Sequence, residues 1–540
     1  MCGSPETLSA SQRDLLYLTR PSDDHYDHRA ASSKKPHLHH PTHSDLLADE
    51  ALEDANDTND VPSSQVTAFK YVLVGGGTAS YSAVLGIREV DPTGEILILA
   101  AEPHAPYQRP PLTKELWFTE DTSAAAETLQ FTNWEGKNTS LFYKPISDYE
   151  LIDVTHQADL VPTGSGLKLV TGHRAVKLDT ERQAVVLENG VEVPYEKVLL
   201  ATGGTPRKLS YQKTLPEPAQ KRVVTYRTLD DFKKLVAVAK EGKHIAVIGG
   251  GFLGSELSVA LAKHTSTTQV FPEEGNMALV FPKYLTKWTT QQVRAQGVEV
   301  LNKSTVTDLR YDDAHDKVIV EVNGVPCAFD HVVVAAGIEP NVSLARNAGL
   351  EIDSVRGGIV VNAELEARRN VFCAGDNVSF HDVALGRRRV EHYDNAVLQG
   401  RWAGRSMAGK PKPFIHQSMF WSDLGPKIGY EAMGVLDGSL VTVGVWAHDE
   451  SKKAKDEQAA AAAAAAAANV PVAAAADKPV GKPGTEEYRK GVVFYVRDDT
   501  IVGVLMFNVH GKVDIARRIL LTGHSPAEAH ELAKKFDLAA

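Results

Sequence analysis

The segment KHIAVIGGGFLGSE (Lys243–Glu256) decides the fold. Its apolar run Ile245–Ile248 is typical of a buried parallel strand, and Gly249, Gly251 and Gly254 follow with G-x-G-x-x-G spacing. The first glycine lets the chain turn, the second lets a pyrophosphate approach the backbone, and the third lets the helix pack against the strand. The phosphates can then bind amide N–H groups at the start of the helix. This segment therefore predicts a dinucleotide-binding fold.

A second stretch of the same kind lies nearer the N-terminus. YVLVGGGTAS (Tyr71–Ser80) is an apolar strand followed by Gly75, Gly76 and Gly77, although its third small position is Ser80 and not Gly or Ala. Two nucleotide-binding folds in one chain are typical of a flavoprotein that takes hydride from a nicotinamide. The sequence therefore predicts an enzyme with two dinucleotides, FAD and NAD.

Length, charge and cysteine content restrict the class of protein further. A chain of 540 residues exceeds the size of one hydrophobic core and predicts several domains. The net charge of −11 disfavours DNA binding, and no apolar run reaches the ~18 residues of a membrane span. The 3 cysteines include no C-x-x-C pair, which excludes the redox disulfide of dithiol reductases. Electrons must therefore leave the flavin by another route.

An acidic residue is expected after the second strand of each nucleotide-binding fold, where it accepts hydrogen bonds from a ribose. Glu102 follows the apolar run GEILILAA, about 25 residues beyond the first glycine turn. Glu273 takes this place in the second fold, after a short strand at about Thr267–Phe271. An acid there favours NAD, because it would repel the 2′-phosphate of NADP.

The alternation of strands and helices predicts an α/β fold with two Rossmann-like dinucleotide-binding domains and an α+β C-terminal domain. The first domain is expected to be discontinuous, because VFCAGD (Val371–Asp376) returns a strand to it after the second domain. The ten alanines Ala459–Ala468 have no apolar stripe to bury and predict a disordered insertion. The expected bounds are a disordered N-terminal region at 1–68, an FAD-binding domain at 69–204 and 337–415, an NAD-binding domain at 205–336, and a C-terminal dimerisation-type domain at 416–540 with a disordered Ala-rich insertion at 448–487.

Long stretches of the chain resemble the apoptosis-inducing factor family of mitochondrial flavoproteins, more closely than the bacterial ferredoxin and rubredoxin reductases. They are APYQRPPLTKELWF (Ala105–Phe118), ATGGTPR (Ala201–Arg207), GGGFLGSEL (Gly249–Leu257), LGRRRVEHYDNAV (Leu385–Val397) and HQSMFWSDLGP (His416–Pro426). The resemblance extends from about Phe69 to the C-terminus, outside the alanine-rich insertion. It implies a glutathione-reductase-like arrangement of the two dinucleotide-binding domains, with FAD and NAD as cofactors.

The resemblance also implies a set of binding and catalytic residues. Together with Glu102, FAD would be bound by Gly75, Gly76, Gly77, Thr78, Ala79, Arg109, Lys114, Arg227, Asp376, His392 and Trp421. The nicotinamide nucleotide would be bound by Trp134, Gly250, Gly251, Phe252, Leu253, Glu273, Gly337, Glu391, Glu431 and Asn508. The expected catalytic residues are Lys114, Glu256 and His392, with Lys114 stabilising the reduced flavin anion and pairing with Glu256.

Three of these side chains also admit a purely structural role from the residues alone. Lys114 could be a surface lysine, and Arg109 could fix the loop before the two prolines that follow it. Trp421 could belong to a hydrophobic core or form an aromatic lid. The resemblance favours the binding roles.

The chain departs from the family pattern at several positions. Ala101 stands where the family commonly has Glu, Tyr393 replaces a histidine, and Leu279 replaces a lysine that contacts NAD. The family's NADH-induced homodimer uses an acid and two arginines, which correspond here to Glu351, Val360 and Arg368. Since Val360 is not basic, the pattern for this homodimer is incomplete.

The main functional hypothesis is an FAD-dependent NADH oxidoreductase that transfers hydride from NADH to flavin N5, and then electrons to quinone or oxygen. The resemblance adds a redox-switched role in respiratory-complex biogenesis and cell death, with a protein partner from the mitochondrial import and assembly pathway. Two alternatives stay open. One is an NADH-dependent reductase of the ferredoxin or rubredoxin type, and the other is a mainly non-enzymatic protein that senses NADH and binds a partner.

The resemblance implies the mitochondrial intermembrane space, with the nucleus as a second location after release. The N-terminal segment does not resemble a transit peptide, so a cytoplasmic location stays open. Four histidines in this segment could hold a metal or form part of a polar tail, namely His37, His39, His40 and His43. The polar tail is preferred, and no metal is expected.

Overall fold

The structure is a computed structural model that describes residues 68–133, 135–447 and 488–538. The predicted N-terminal region up to residue 67, the alanine-rich insertion and Trp134 lie outside the described residues. Within the described part, two large sheets are mainly parallel and a third is antiparallel. The predicted α/β fold is therefore confirmed, while the exact bounds of the domains stay predictions.

The first sheet is built around the buried strand Phe69–Val74. This strand pairs in parallel with Ile96–Leu99 on one side and with Glu192–Leu200 on the other. Val371–Cys373 pairs in parallel with Glu192–Leu200, so a distant part of the chain adds a strand to this sheet. The sheet also contains Glu150–Leu151, Leu167–Val170, Ala175–Asp179, Ala184–Leu187 and Glu366–Arg368.

Two helices pack closely on this sheet. Thr78–Arg88 follows the first glycine turn, and it contacts the helix Tyr393–Met407 along its length. A Cβ at Gly400 would lie 2.2 Å from the Ala79 carbonyl oxygen, so the close approach of the two helices requires glycine there. This packing places the first residues of both helices at the same cavity.

The second sheet has five parallel strands around the second glycine turn. Their order is Val223–Thr225, His331–Val334, His244–Ile248, Ser266–Val270 and Glu299–Leu301. The turn after His244–Ile248 leads into the helix Phe252–Leu261. A small antiparallel sheet shares a hydrophobic core with it and contains Val306–Asp312, Lys317–Val322 and Val325–Phe329.

A short two-stranded ribbon forms where the chain leaves the first sheet and returns to it. Gly204–Pro206 pairs antiparallel with Ile338–Pro340. Asn341 Nδ2 donates to the Thr202 carbonyl oxygen at 2.8 Å, and Thr202 Oγ1 donates to the Asn341 carbonyl oxygen at 2.8 Å. These bonds hold the segment that leaves the first sheet beside the segment that returns to it.

The third sheet is antiparallel and has a hydrophobic core on each face. Its strands lie in the order Met419–Asp423, Gly429–Gly434, Thr500–Phe507, Gly491–Arg497 and Val441–Trp446. The helices Val513–Thr522 and Ala529–Ala533 contribute to the core on one face, and the helix Lys283–Ala295 contributes to the core on the other. The predicted α+β C-terminal part therefore packs against the second sheet's helices.

The other α-helices are Thr122–Thr128, Glu217–Gln220, Leu229–Val238 and Ser343–Asn347. The remaining strands are Gln130–Thr132, Asn138–Ser140, Ile359–Val360, Val378–Asp382 and Gly386–Arg388. Short 3-10 helices lie at Pro110–Leu112, Glu115–Trp117, Ile146–Asp148, Gln157–Asp159, Ser210–Thr214, Pro526–Glu528 and Lys534–Phe536. Within the three described ranges, every helix is too short or too polar to cross a membrane.

Candidate active site

A cavity of about 610 Å³ opens beside the first glycine turn. Its walls come from the first sheet, the crossing ribbon, the helix Phe252–Leu261 and the start of the helix Tyr393–Met407. Many predicted cofactor-binding residues line it, namely Gly75, Gly76, Gly77, Thr78, Ala79, Glu102, Arg109, Arg227, Leu253, Asp376, Glu391 and His392. The fold therefore brings residues that are far apart in the sequence to the wall of one cavity.

The first glycine turn has the conformation and the free space that a bound pyrophosphate needs. Gly75 has a φ of +127°, and a Cβ there would lie 2.2 Å from the Ala201 carbonyl oxygen. Gly77 lines the cavity, and among the described residues nothing beyond its chain neighbours lies within 4 Å of a Cβ placed on it. This open backbone at the start of the helix Thr78–Arg88 fits the pyrophosphate of FAD.

The second glycine turn repeats this arrangement. Gly249 has a φ of +134°, and a Cβ there would lie 2.2 Å from the Ala335 carbonyl oxygen. A Cβ at Gly254 would lie 2.3 Å from the Gly249 carbonyl oxygen, which explains the third glycine. Gly251 is open like Gly77, at least toward the described part of the chain. The second turn therefore fits a second dinucleotide.

Glu102 lies at the cavity, and both of its carboxylate oxygens already accept hydrogen bonds. The Tyr107 hydroxyl donates to Oε2 at 2.5 Å, and the Arg109 guanidinium donates to Oε1 at 2.6 Å. Burial alone would raise the pKa of Glu102, but Arg109 and Tyr107 bring it below its ordinary value. Arg109 also donates to the Arg227 carbonyl oxygen at 2.9 Å. Arg109 therefore fixes its loop and lines the cavity as well.

Two further ion pairs involve residues that line the cavity. Arg227 Nη2 lies 3.1 Å from Asp376 Oδ2. Arg389 donates to the Asp376 carbonyl oxygen at 3.3 Å and forms an ion pair with Glu391. Burial raises the pKa of Glu391, and Arg389 opposes this rise. Sequence reasoning missed Arg389, whose position in a run of three arginines gave no sign of this contact.

Lys114 is largely covered by the protein, so the surface-lysine alternative is wrong. Its ammonium lies 2.6 Å from Glu256 Oε2, with the two side chains 12% and 6% exposed. Thr113 Oγ1 donates to the same oxygen at 2.6 Å, and the Ser422 hydroxyl donates to Oε1. Burial alone would lower the pKa of Lys114, but Glu256 and then Asp423 raise it above its ordinary value. The ammonium is therefore charged at neutral pH.

A carboxyl group with an unusual pKa lies beside this ion pair. Burial raises the pKa of Asp423 to about 7, and the charges of Glu256 and Glu115 add to the rise while Lys114 opposes it. Asp423 therefore exchanges its proton near neutral pH, unlike an ordinary exposed aspartate.

His392 lines the cavity as a neutral imidazole. Its ring stacks on Phe420 with 4.3 Å between ring centroids, and Phe252 contacts it edge-on at 6.2 Å. Burial lowers the pKa of His392 to about 4. The side chain can therefore offer a hydrogen bond at neutral pH but no positive charge.

Trp421 does not line the cavity itself. Its ring contacts Tyr393 edge-on at 5.8 Å between centroids, and Tyr393 forms part of the cavity wall. Trp421 also packs on the core beneath the helix Val513–Thr522. The Trp421 side chain therefore packs against a hydrophobic core and also supports Tyr393, which lines the cavity.

Seven described residues that were predicted to bind the nicotinamide nucleotide do not line this cavity, namely Gly250, Gly251, Phe252, Glu273, Gly337, Glu431 and Asn508. Glu431 is fully buried, with its carboxylate 3.6 Å from Nδ1 of His510. The Asn508 side chain accepts from the Gly429 N–H at 2.7 Å and donates to two backbone carbonyl oxygens. Its amide therefore ties loops together, and its contact with a nucleotide stays a prediction.

Within the described ranges, no group of three or more His, Cys, Asp or Glu side chains could hold a metal ion. Two glycine turns of the dinucleotide-binding type, with the Lys114–Glu256 ion pair between their folds, define a reductase with one flavin and one nicotinamide nucleotide.

The chain belongs to the pyridine nucleotide-disulphide oxidoreductase family, whose model matches residues 69–400. The C-terminal model of mitochondrion-associated apoptosis-inducing factor matches residues 403–522, so the resemblance to this branch of the family is confirmed. Membership makes the protein an FAD-dependent oxidoreductase that uses NAD(H).

Individual relatives agree with this assignment. The chain is 39% identical over 488 residues to the putative mitochondrial apoptosis-inducing factor 1 of Drosophila melanogaster, covering 87% of this chain but 65% of that relative. It is 37% identical over 483 residues to mitochondrial apoptosis-inducing factor 1 of Dictyostelium discoideum, covering 87% of this chain and 82% of the relative. A ferredoxin reductase structure from Rhodopseudomonas palustris shares the fold with a TM-score of 0.64 and 23% identity, covering 87% of this chain and 100% of that one.

Proposed function

We propose that the protein catalyses hydride transfer from NADH to its FAD and passes the electrons to a quinone or to oxygen. The observation that carries this proposal is the buried Lys114–Glu256 ion pair. It lies behind Thr113, which lines the cavity, and it joins a loop of the first nucleotide-binding fold to the helix of the second. A fixed positive charge at this junction suits a reaction that places negative charge on the flavin.

The other side chains at the cavity act as binding and orienting groups. Bound FAD supplies the hydride acceptor. Glu391 offers a carboxylate to the nicotinamide carboxamide, and Arg389 holds that carboxylate in place. His392, packed against Phe420, keeps water away from one part of the wall and offers one neutral hydrogen bond.

NADH is proposed as the substrate in preference to NADPH. Glu273 follows the strand Ser266–Val270 in the second fold, where a carboxylate can bind the ribose hydroxyls. Leu279 is 73% exposed and offers no charge to a 2′-phosphate. A comparison of NADH and NADPH as reductants of wild type and of E273Q tests this preference, and equal rates in the wild type would contradict it.

Anaerobic titration of the purified holoprotein with NADH, followed by its visible spectrum, tests the main proposal. We expect the flavin absorbance to bleach at one equivalent of NADH. K114M should slow bleaching, whereas K221M, which removes a lysine from an exposed ion pair, should not. A flavin that keeps its yellow colour with excess NADH would overturn the proposal.

We place the protein in mitochondria, because both curated relatives carry that location in their names. The finer proposals are a location in the intermembrane space, a redox-switched role in respiratory-complex biogenesis and cell death, and a partner from the import and assembly pathway. An NADH-induced homodimer is a further proposal, to which Glu351 and Arg368 would contribute and Val360 would not. Sedimentation of the holoprotein with and without NADH tests it, and an unchanged monomer would contradict it.

A further inference from the structure

Three hydroxyl groups form a chain along the cavity wall. The Tyr143 hydroxyl oxygen lies 2.9 Å from Thr78 Oγ1 and 3.1 Å from the Tyr393 hydroxyl oxygen. Thr78 is the first residue of the helix Thr78–Arg88, and Tyr393 is the first residue of the helix Tyr393–Met407. Tyr143 thus connects the starts of two helices, and we call Thr78, Tyr143 and Tyr393 the hydroxyl chain.

The rings that carry these hydroxyls are held in place. Tyr143 stacks on Tyr81 with 4.4 Å between centroids and 8° between ring planes. Tyr393 contacts Trp421 edge-on at 5.8 Å. The hydroxyl oxygens are therefore fixed, and only their hydrogen atoms can turn.

Counting protons shows what the hydroxyl chain can do. Three hydroxyls carry three protons, and the two internal hydrogen bonds use two of them. If Tyr143 donates to Thr78, then Tyr393 donates to Tyr143 and the Thr78 proton is left over. If Tyr143 donates to Tyr393, then Thr78 donates to Tyr143 and the Tyr393 proton is left over. One donor is therefore always free, at one end of the chain or at the other.

Both possible ends face the same space. Thr78 and Tyr393 line the cavity, whereas Tyr143 lies behind them. Burial raises the pKa of Tyr393 to about 12 and that of Tyr143 well above its ordinary value, so both phenols keep their protons at neutral pH. The free donor can change ends by rotation of three O–H bonds, and no proton enters or leaves.

We propose that the hydroxyl chain is a hydrogen-bond switch that presents its free donor to the flavin phosphates through Thr78, or to the flavin ring through Tyr393. This inference rests on the proposed function, since it uses the expected contact of the flavin with His392, the neighbour of Tyr393. Thr78 belongs to the phosphate-binding turn. Reduction places negative charge on the ring, and hydrogen bonds to charged acceptors are roughly twice as strong as neutral ones. The reduced flavin therefore draws the donor to Tyr393, and the oxidised flavin leaves it at Thr78.

The switch makes Tyr143 a positioning residue, because its hydroxyl touches the flavin in neither state but sets which end is free. Removing that hydroxyl breaks the link and leaves the Thr78 and Tyr393 protons both free, so the ring no longer draws its donor away from the phosphates. Removing the Tyr393 hydroxyl takes away the ring end directly. Loss of the Tyr393 hydroxyl should therefore weaken the reduced state relative to the oxidised state, whereas loss of the Tyr143 hydroxyl should strengthen it.

The test is the midpoint potential of the flavin in the holoprotein, measured by equilibration with a reference dye and a chemical reductant. Y393F should lower the ratio of reduced to oxidised flavin at a given potential by about tenfold, which is about 30 mV for a two-electron couple, and Y143F should raise that ratio. Y81F is the matched control, because it removes a hydroxyl from the stacked ring beside Tyr143 and leaves the hydroxyl chain intact. Its potential should equal that of the wild type.

Wild-type potentials in Y143F and Y393F would overturn the switch, and so would a lowered ratio in Y143F or a shift in Y81F as large as that in Y393F. If Y143F does not retain FAD, Y393F decides, since its ring still packs on Trp421. The measurement uses no NADH, so it separates the two proposals: a flavin that NADH fails to reduce contradicts the proposed function, while an unmoved potential contradicts the switch.

Discussion

The ammonium of Lys114 and the carboxylate of Glu256 meet at 2.6 Å although 142 positions separate them in the chain. Ser422, from a strand of the third sheet, donates to the second oxygen of Glu256. One carboxylate on the helix of the second fold therefore binds groups from two other parts of the fold. Because it is buried, each of its hydrogen bonds matters more than it would at the surface.

Replacing Lys114 by Met should slow reduction of the flavin by NADH by roughly tenfold to a hundredfold, because the positive charge near the developing negative charge is lost. Stopped-flow spectroscopy under anaerobic conditions measures this rate. K114M should also lower the melting temperature, since Glu256 would be left buried without its partner. K221M is the matched control, and an unaltered reduction rate in K114M would contradict the role of the ammonium.

Two glycines of the second turn should respond differently to alanine. G249A should prevent correct folding of the turn, because φ is +134° and its Cβ would lie 2.2 Å from the Ala335 carbonyl oxygen. G251A places its methyl group in open space, so we expect a wild-type melting temperature. The same methyl group should obstruct the phosphates and weaken NADH binding on the order of tenfold, or about 1.4 kcal/mol. Equilibrium titration of G251A measures this, and wild-type affinity would show that the pyrophosphate lies elsewhere.

Replacing Ser80 by alanine should increase the stability of the protein. Its hydroxyl is fully buried and has no hydrogen-bond partner among the described residues. S80A removes this unpaired group, so the free energy of unfolding should rise by about 1 kcal/mol. S258A is the matched control in the helix of the second turn, because the buried Ser258 hydroxyl donates to the Gly254 carbonyl oxygen at 2.7 Å. Thermal unfolding should show opposite shifts, and a destabilised S80A would refute the argument.

The stability of the protein should depend on pH through Asp423. Its pKa is about 7 in the folded state and near 3.8 when unfolded, so the folded state binds more protons between these values. The free energy of unfolding must then fall as the pH rises from about 4 to 7, by on the order of 4 kcal/mol. D423N cannot titrate and should lose this dependence. Melting temperatures of both proteins from pH 5 to pH 8 test it, and parallel curves would exclude Asp423 as the cause.

Local sequence patterns were sufficient for the two nucleotide-binding folds. The strands Phe69–Val74 and His244–Ile248 and their glycine turns follow from apolar runs and glycine spacing, which act over a few residues. The positive φ of Gly75 and Gly249 follows from the same spacing, because the turn needs a conformation that other residues avoid. Periodicity therefore predicted the elements that position the site.

Contacts between side chains were not predictable in this way. The contact of Glu102 with a ribose stays a prediction, and the bonds that its oxygens accept from Tyr107 and Arg109 were not expected. The Arg389–Glu391 pair and the Tyr143–Tyr393 contact depend on side-chain directions and on the packing of separate elements. A sequence pattern carries neither kind of information. The resemblance to a known family supplied the remaining site residues.

The pairing of Val371–Cys373 with Glu192–Leu200 has a consequence for biosynthesis. When synthesis has reached the end of the strand His331–Val334, every strand of the second sheet has been made. The first sheet still lacks the strand Val371–Cys373, which pairs with Glu192–Leu200. The unit inserted between the two crossings can therefore acquire its native contacts during translation. The unit that contains the first sheet must wait with an exposed strand edge, and it is the part of the nascent chain that most needs protection from aggregation.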